Sequence, residues 1–263
     1  MLFVFMLLGK EIAYEVGDSM RYFVFADVHA NLEALRATLS VLKQERVDQS
    51  LFLGDLVGYG AQPNETIELL KTIDLHSAVC GNHDRMISRN TPVVDFQTLA
   101  RYSILWTKQQ ITDDNKRYLA AFSDGLVKIE DSIGIVHCSP HRRDYYILNR
   151  RDAKKAFRKS QNWITLFAHT HIAVMHSIDD KVSTLYPEND FYYPLSKKKR
   201  YLINPGAVGQ PRDLDSRASI AILDTDEKMI YWKRIEYDIR SAQDKIRKEG
   251  LPSWHADRLG IGH

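Results

Sequence analysis

Two cysteines, Cys80 and Cys138, are all that the 263 residues contain. No disulfide framework can therefore hold this fold, and a reducing cytoplasm is the expected setting. Long hydrophobic runs are also missing. The apolar stretch Met1–Leu8 (MLFVFMLL) is far too short to span a bilayer. It has no basic region before it and no small-residue cleavage site after it, which argues against a signal peptide. Excess charge is scarce as well: 36 basic and 34 acidic residues leave +2, so there is no general pull toward nucleic acid or membrane surfaces. Solenoid repeats, low-complexity tracts and an inter-domain linker are absent, and the chain reads as one domain. Met20 stands directly before a strand-like run, Arg21–Ala26. The domain is therefore expected over 20–263. Residues 1–19 read either as a poorly ordered extension or as sequence ahead of the true start, with an interfacial anchor as the competing reading.

What is present is an alternation of short apolar runs with amphipathic stretches. Tyr22–Ala26, Gln49–Leu53 and Leu75–Cys80 have the pattern of buried strands, and Asn31–Arg46 and Pro63–Thr72 that of helices between them. This order predicts a parallel sheet with crossover helices. Thr91–Ser123 reads as mostly helical. From Ser132 the chain turns strand-rich, with strands expected at Ser132–His137, Trp163–Ala168, Ile172–Ile178, Val182–Tyr186, Arg200–Asn204, Ala218–Leu223 and Met229–Ile235, and a closing helix at Asp238–Lys248. The fold class is α/β, with two sheets face to face.

Polar residues gather where these strands end. Asp27-Val-His29 follows the first, Gly54-Asp55 the second and Gly81-Asn82-His83-Asp84 the third, 28 and then 27 residues apart from aspartate to aspartate to asparagine. That interval is about one strand–helix–strand repeat, so the three clusters emerge at one edge of one sheet, where α/β proteins build their sites. His137 and the pair His169-Thr-His171 end two later strands. In extended chain, residues two apart point to one side. Singly, each is an ordinary turn or core residue. Jointly, they place five of the ten histidines at strand ends. Asp27, His29, Asp55, Asn82, His137, His169 and His171 make seven candidate ligands, too many for one ion and suited to two. Mixed imidazole and carboxylate ligands fit manganese, iron or zinc, with Asp55 as the bridging carboxylate. Two cations would acidify a shared water and offset charge on a phosphate, while His83, as a non-ligand, would protonate the leaving group. Asp84 is a candidate for orienting that imidazole.

These clusters, in this order, resemble the calcineurin-like metallophosphoesterase superfamily from Arg21 to about Leu223. The resemblance implies two mixed β-sheets packed as a sandwich and flanked by helices. It implies that Asp27, His29, Asp55 and His171 hold one ion and Asp55, Asn82, His137 and His169 the other, with His83 as the catalytic histidine. It also implies two divalent metals, manganese foremost, with iron, zinc, nickel or cobalt as substitutes. Ala168 stands where the family usually has glycine, and Cys138 follows His137 where glycine is common. Gly58 and Tyr59 occupy the places of the aspartate and arginine of serine/threonine protein phosphatases, which argues against that activity. The chain looks more like the small bacterial and archaeal phosphodiesterase branch, whose late motif Asn204-Pro-Gly-Ala-Val-Gly-Gln-Pro-Arg212 resembles.

The expected activity is hydrolysis of phosphate mono- or diesters, as a phosphodiesterase or nucleotide hydrolase acting on small substrates. The alternatives are a non-catalytic scaffold of the same fold, a dinucleoside polyphosphate hydrolase and a nuclease. Arg212 is a candidate phosphate clamp, although a pairing with Asp213 or Asp215 would serve it equally. The basic segment 142–159 reads as a solvated helix face. Tyr186–Tyr201, with Lys197–Arg200, reads as an exposed hairpin or subunit contact.

Overall fold

The computed structural model describes residues 2–7, 10–15, 20–89, 91 and 98–263. The strands β1 (Leu2–Leu7) and β2 (Lys10–Glu15) pair as a separate antiparallel hairpin, so the stretch read as an extension carries a unit of its own. The domain then opens with β3 (Arg21–Phe25), β4 (Gln49–Phe52) and β5 (Leu75–Ala78), which run parallel. They are linked by α1 (Leu32–Gln44) and α2 (Pro63–Leu70), as the alternation requires. Asn31 caps α1 by accepting from the Ala34 N–H (3.1 Å), and Pro63 opens α2, where its missing N–H costs nothing.

After α3 (Asn82–Ser88), α4 (Thr98–Gln110) and α5 (Asp113–Ala120), the chain builds a second sheet. It comprises β6 (Val127–Glu130), β7 (Ile133–Ile135), β8 (Ile164–Leu166), β9 (Ala173–Ile178), β10 (Val182–Leu185) and β12 (Arg200–Pro205), in the order β10-β9-β12-β8-β7-β6. The last strands, β13 (Ala218–Asp224) and β14 (Met229–Ile235), return to the first sheet and carry β11 (Phe191–Pro194) at its edge, giving β11-β14-β13-β3-β4-β5. Part of the stretch expected to be helical before α4, residues 90 and 92–97, lies outside the described residues.

Both sheets are six-stranded and mixed, and β3 shows why they stack. Its even positions, Tyr22 and Val24, join Leu51, Ile133, Ile164, Leu166, Met175 and Trp232 in the core between the sheets. Its odd positions, Phe23 and Phe25, face Leu35, Phe52, Ile67 and Ile104 on the helical side. A strand buried on both faces loses polar alternation, which is what the run Tyr22–Ala26 displays. Beneath the second sheet, α6 (Arg150–Lys159) packs Ala153, Ala156 and Phe157 against Phe167 and Leu202. Its exposed face carries Arg150, Arg151, Lys154, Arg158 and Lys159, so the second part of the basic segment 142–159 is a solvated helix face, while Arg142 and Arg143 precede the helix.

The other basic run is also used structurally. Lys197 lies 3.3 Å over the Trp163 ring, Lys199 pairs with Asp179 (3.0 Å) and Arg200 donates to the carbonyls of Phe157 and Ser160 at the end of α6. The expected closing helix, α7 (Ile239–Lys248), is capped by Asp238 but does not close the chain. α8 (Ser253–Asp257) and a 3₁₀ turn, Arg258–Gly260, follow it. Among the described residues, no helix is long and apolar enough to cross a membrane.

Candidate metal centre

The ladder between β3 and β4 continues past the strands into their loops. The Asp27 N–H donates to the Gly54 carbonyl (2.9 Å) and the His29 N–H to the Asp55 carbonyl (3.0 Å). The late motif docks from the second sheet: the Gly209 N–H donates to the Asp27 carbonyl (2.9 Å) and the Arg212 N–H to the His171 carbonyl (3.1 Å). A side chain at Gly209 would collide with the Val28 carbonyl, since its Cβ would lie only 1.7 Å from that oxygen. These ties bring all seven expected ligands together, none more than 5% exposed.

Five of the seven adopt left-handed backbone: Asp27 (φ 53°), His29 (φ 50°), Asp55 (φ 57°), His169 (φ 69°) and His171 (φ 60°). Each such residue costs about 1 kcal/mol or more, a strain typical of functional loops. The pair His169 and His171 is therefore not in extended chain as expected. β8 ends at Leu166, and the two imidazoles diverge into neighbouring ligand groups. His171 joins Asp27, His29 and Asp55, whose ligand atoms all lie within 4.8 Å of one another, and His169 joins His137 within the same limit.

The proton positions can be derived from the partners. His29 Nδ1 faces the Val57 carbonyl (3.1 Å), His137 Nδ1 the Leu53 carbonyl (2.7 Å) and His171 Nδ1 the Gln210 carbonyl (2.6 Å). A carbonyl only accepts, so each Nδ1 carries a proton and Nε2 is left as the atom of each ring that can face a metal. Those nitrogens converge on one another and on carboxylate oxygens. His29 Nε2 lies 3.1 Å from His171 Nε2 and 3.7 Å from Asp55 Oδ2, while His171 Nε2 lies 3.6 Å from Asp27 Oδ1. On the other side, His137 Nε2 is 3.2 Å from Asp55 Oδ2 and 3.2 Å from Asn82 Oδ1. Asp27 Oδ1 and His169 Nε2 are buried with no hydrogen-bond partner. Buried ligand atoms crowded in this way, two of them without a hydrogen-bond partner, are unfavourable until a cation sits among them, so the residues fit divalent metal binding. Asp55 Oδ2 thus lies near a histidine of each group, His29 and His137; its other oxygen accepts from the His83 N–H (2.9 Å).

Burial holds the histidines in their ligand form. It drives His29, His169 and His171 well below the usual imidazole range, aided at His169 by the charge of His137 and at His171 by that of Arg212. Burial also raises Asp27 to about 8. His137 is the exception: burial would lower it, but the adjoining Asp55 carboxylate overrides this and raises it to about 9. The Cys138 sulfur also lies near His137 and His169. Burial and then Asp144 raise its pKa well above the ordinary thiol value, so it stays a protonated thiol that donates toward Asp144 (3.9 Å).

His83 stands at the first turn of α3, its ring 4.9 Å from His29 and 4.5 Å from Tyr59. Burial lowers it to about 4, and negative charge brought by a bound phosphate would raise it again. Asp84 does not orient this ring. Its Oδ2 accepts from the N–H groups of Asp55 (2.8 Å) and Gly81 (3.1 Å), and its Oδ1 from those of Leu56 (2.8 Å) and Val57 (3.2 Å). It is the brace of the loop that carries Asp55.

Arg212 is not taken by its acidic neighbours. Asp213 pairs with Arg234 and Asp215 with Arg217, both at 2.6 Å. The Arg212 guanidinium instead lies 5.7 Å over Tyr59 and donates to Gln210 Oε1 (2.7 Å). Tyr59, singled out in the sequence only as standing in place of an arginine, is a site neighbour, and so is Tyr146, stacked 4.0 Å from His169, which no sequence signal marked.

The calcineurin-like phosphoesterase superfamily domain matches residues 20–228. An uncharacterized protein of Methanocaldococcus jannaschii is 36% identical over 245 residues, covering 91% of this chain and 97% of its own. The crystal structure of a metallophosphoesterase from Sphaerobacter thermophilus superposes with a TM-score of 0.81 at 35% identity, over 94% of this chain and 100% of that one. A hypothetical protein from Pyrococcus horikoshii OT3 shares the fold at a TM-score of 0.74 and 20% identity, over 92% and 98% of the two chains. With the domain matched over most of its length and full-length relatives above one-third identity, this chain belongs to the calcineurin-like phosphoesterase superfamily.

Proposed function

We propose that this protein hydrolyses phosphate mono- or diesters, as a phosphodiesterase or nucleotide hydrolase, using two adjacent divalent cations. The observation that carries this reading is the convergence of acceptor atoms on both sides of Asp55 Oδ2. Asp27, His29, Asp55 and His171 would hold one ion, and Asp55, Asn82, His137 and His169 the other. The imidazole–carboxylate set favours manganese, with iron, zinc, nickel or cobalt as substitutes. Divalent cations in these positions supply Lewis-acid polarisation of the phosphate and acidify water. The protein's own groups do the rest. Arg212, without a carboxylate partner among the described residues, holds a phosphate oxygen, and His83 delivers a proton to the departing oxygen. The substrate's negative charge raises His83 and so loads it with that proton. Both cysteines are free and buried, in keeping with a reducing, cytoplasmic setting.

Chelator-stripped protein should be inert toward bis-p-nitrophenyl phosphate and regain activity on titration with Mn²⁺, saturating at two ions per chain. Turnover that survives stripping, or saturation at one ion, would reject the two-cation reading. The role of His83 has its own test. His83→Ala should retain both ions yet lose about 100-fold or more in turnover on alkyl esters, which need a protonated leaving group. The loss should be smaller on p-nitrophenyl esters, whose leaving group departs as an anion. Metal loss in that variant would show that His83 is a ligand.

A further inference from the structure

The family domain ends at residue 228, yet the chain after it reaches the loops of the site. Lys245 on α7 binds Glu33 in the first turn of α1 and Gln62 just before α2. His255 on α8 donates from Nε2 to the Leu99 carbonyl (3.1 Å), and its ring lies 4.9 Å from that of Tyr59. Tyr59 is a junction of four groups. The rings of His29 (4.7 Å) and His83 (4.5 Å) pack against it from the metal centre, and His255 does so from the C-terminal segment. The Arg212 guanidinium lies 5.7 Å over its centroid.

The backbone is bent to put the ring there. Tyr59 adopts left-handed backbone (φ 60°), as does Gly58 before it (φ 90°), a costly conformation for a bulky residue. The Gly60 N–H donates to the His29 carbonyl (3.0 Å), and a Cβ on Gly60 would lie only 2.3 Å from that oxygen. The loop that carries the ring is thus pinned to a candidate ligand. Arg212 has no comparable anchor of its own. Its guanidinium donates to Gln210 Oε1 (2.7 Å), its Nε is buried with no hydrogen-bond partner, and the neighbouring carboxylates are taken by Arg234 and Arg217. A carboxylate would hold the guanidinium but offset its charge. A glutamine and an aromatic face hold it and leave the charge for an incoming anion.

We propose that Tyr59 is a positioning residue, whose ring, backed by His255, holds the Arg212 guanidinium ready for the phosphate. The inference rests on the phosphoesterase reading and its Arg212 clamp. Because the same ring packs against His83, clamp and proton donor share one support. Through His255, the segment after residue 228 takes part in the site although it lies outside the family domain.

The test is a double-mutant cycle on the full-length, Mn²⁺-loaded protein, with methylphosphonate as a non-hydrolysable probe and calorimetry as the readout. Arg212→Ala should weaken the probe about tenfold, as expected for losing a charged hydrogen-bonding group. Tyr59→Leu should weaken it about fivefold, the scale of a partly desolvated cation–π contact. In the Arg212→Ala background the same leucine should have almost no effect, because the group it positions is gone. Tyr59→Phe keeps the ring and should restore wild-type binding. His255→Ala leaves the Tyr59 loop intact and should follow the same pattern with a smaller factor, so it decides the matter if Tyr59→Leu fails to fold. Additive losses in the cycle, a phenylalanine variant as weak as leucine, or a leucine variant depleted of manganese overturns the proposal. Wild-type binding by Arg212→Ala defeats the clamp and this inference with it; a loss there with none in Tyr59→Leu defeats the positioning role alone.

Discussion

Gly81→Ala is expected to be as damaging as removing Asp55 itself. An alanine Cβ at this position would lie 2.0 Å from Asp55 Oδ1, 2.3 Å from the Asp55 nitrogen and 2.6 Å from its Cγ. The backbone at Gly81 is extended (φ −76°, ψ 171°), a conformation open to any residue, so the substitution strains nothing locally. The collision falls on Asp55, on its backbone nitrogen as well as on the carboxylate proposed to bridge the two ions. Overpacking of this kind costs about 1–3 kcal/mol in stability, which a domain of this size can survive. On the two-cation reading, displacing this carboxylate would undo both proposed cation positions at once. The expected result is a folded protein with fewer than two Mn²⁺ per chain and turnover lower by on the order of a thousandfold or more, the scale of losing a principal electrostatic group. Asp55→Ala should give the same metal loss. If Gly81→Ala keeps two ions and wild-type turnover, Asp55 is not the shared ligand.

Asp84→Ala and Asp84→Asn are both expected to unfold the protein at markedly lower temperature. Asp84 is fully buried and satisfies four backbone N–H groups, those of Asp55, Leu56, Val57 and Gly81. Alanine leaves all four without an acceptor. Asparagine keeps the shape but turns an NH₂ toward two of them, so an isostere should not rescue. Burial and the nearby Asp55 charge raise the Asp84 carboxyl to about 7 even though these donors pull it down. Losing several charge-assisted bonds in the interior should cost about 4 kcal/mol, or roughly 10 °C in midpoint for a domain of this length. Thermal unfolding of the two variants provides the measurement. An asparagine variant that melts with wild type would mean that Asp84 does not brace this loop.

Much of this architecture is legible in the residues. The alternation through Cys80 fixes three parallel strands, and the polar tips of those strands mark the site because strand length and crossover length repeat at nearly constant interval. What escapes the eye is short or conformational. α3 spans seven residues, too few to show a period, and starts inside a ligand motif. It is held by Asp84 bonds to a loop 27–29 residues earlier. β6 and β11 are four-residue edge segments without a clear apolar run. The left-handed backbone at His169 and His171 has no glycine to announce it, so the pair reaches the cluster by a geometry other than the one expected. Arg212 illustrates the opposite error: Asp213 and Asp215 stand beside it in sequence, yet Arg234 and Arg217 claim them. His255 lies in a tail with no readable motif, and only its packing against Tyr59 gives it a setting.

His29 and His171 meet at 3.1 Å although 142 residues separate them along the chain. A cation held between them acts as a cross-link closing a loop of more than half the polypeptide, and no partly formed fragment can make the same grip. Global unfolding must therefore release the ion, and saturation at a hundredfold over its dissociation constant would add about 2.7 kcal/mol against unfolding. On the proposed reading, metal supply would then set how long each molecule survives proteolysis as well as how fast it turns over, and starvation for the ion would deplete the protein itself.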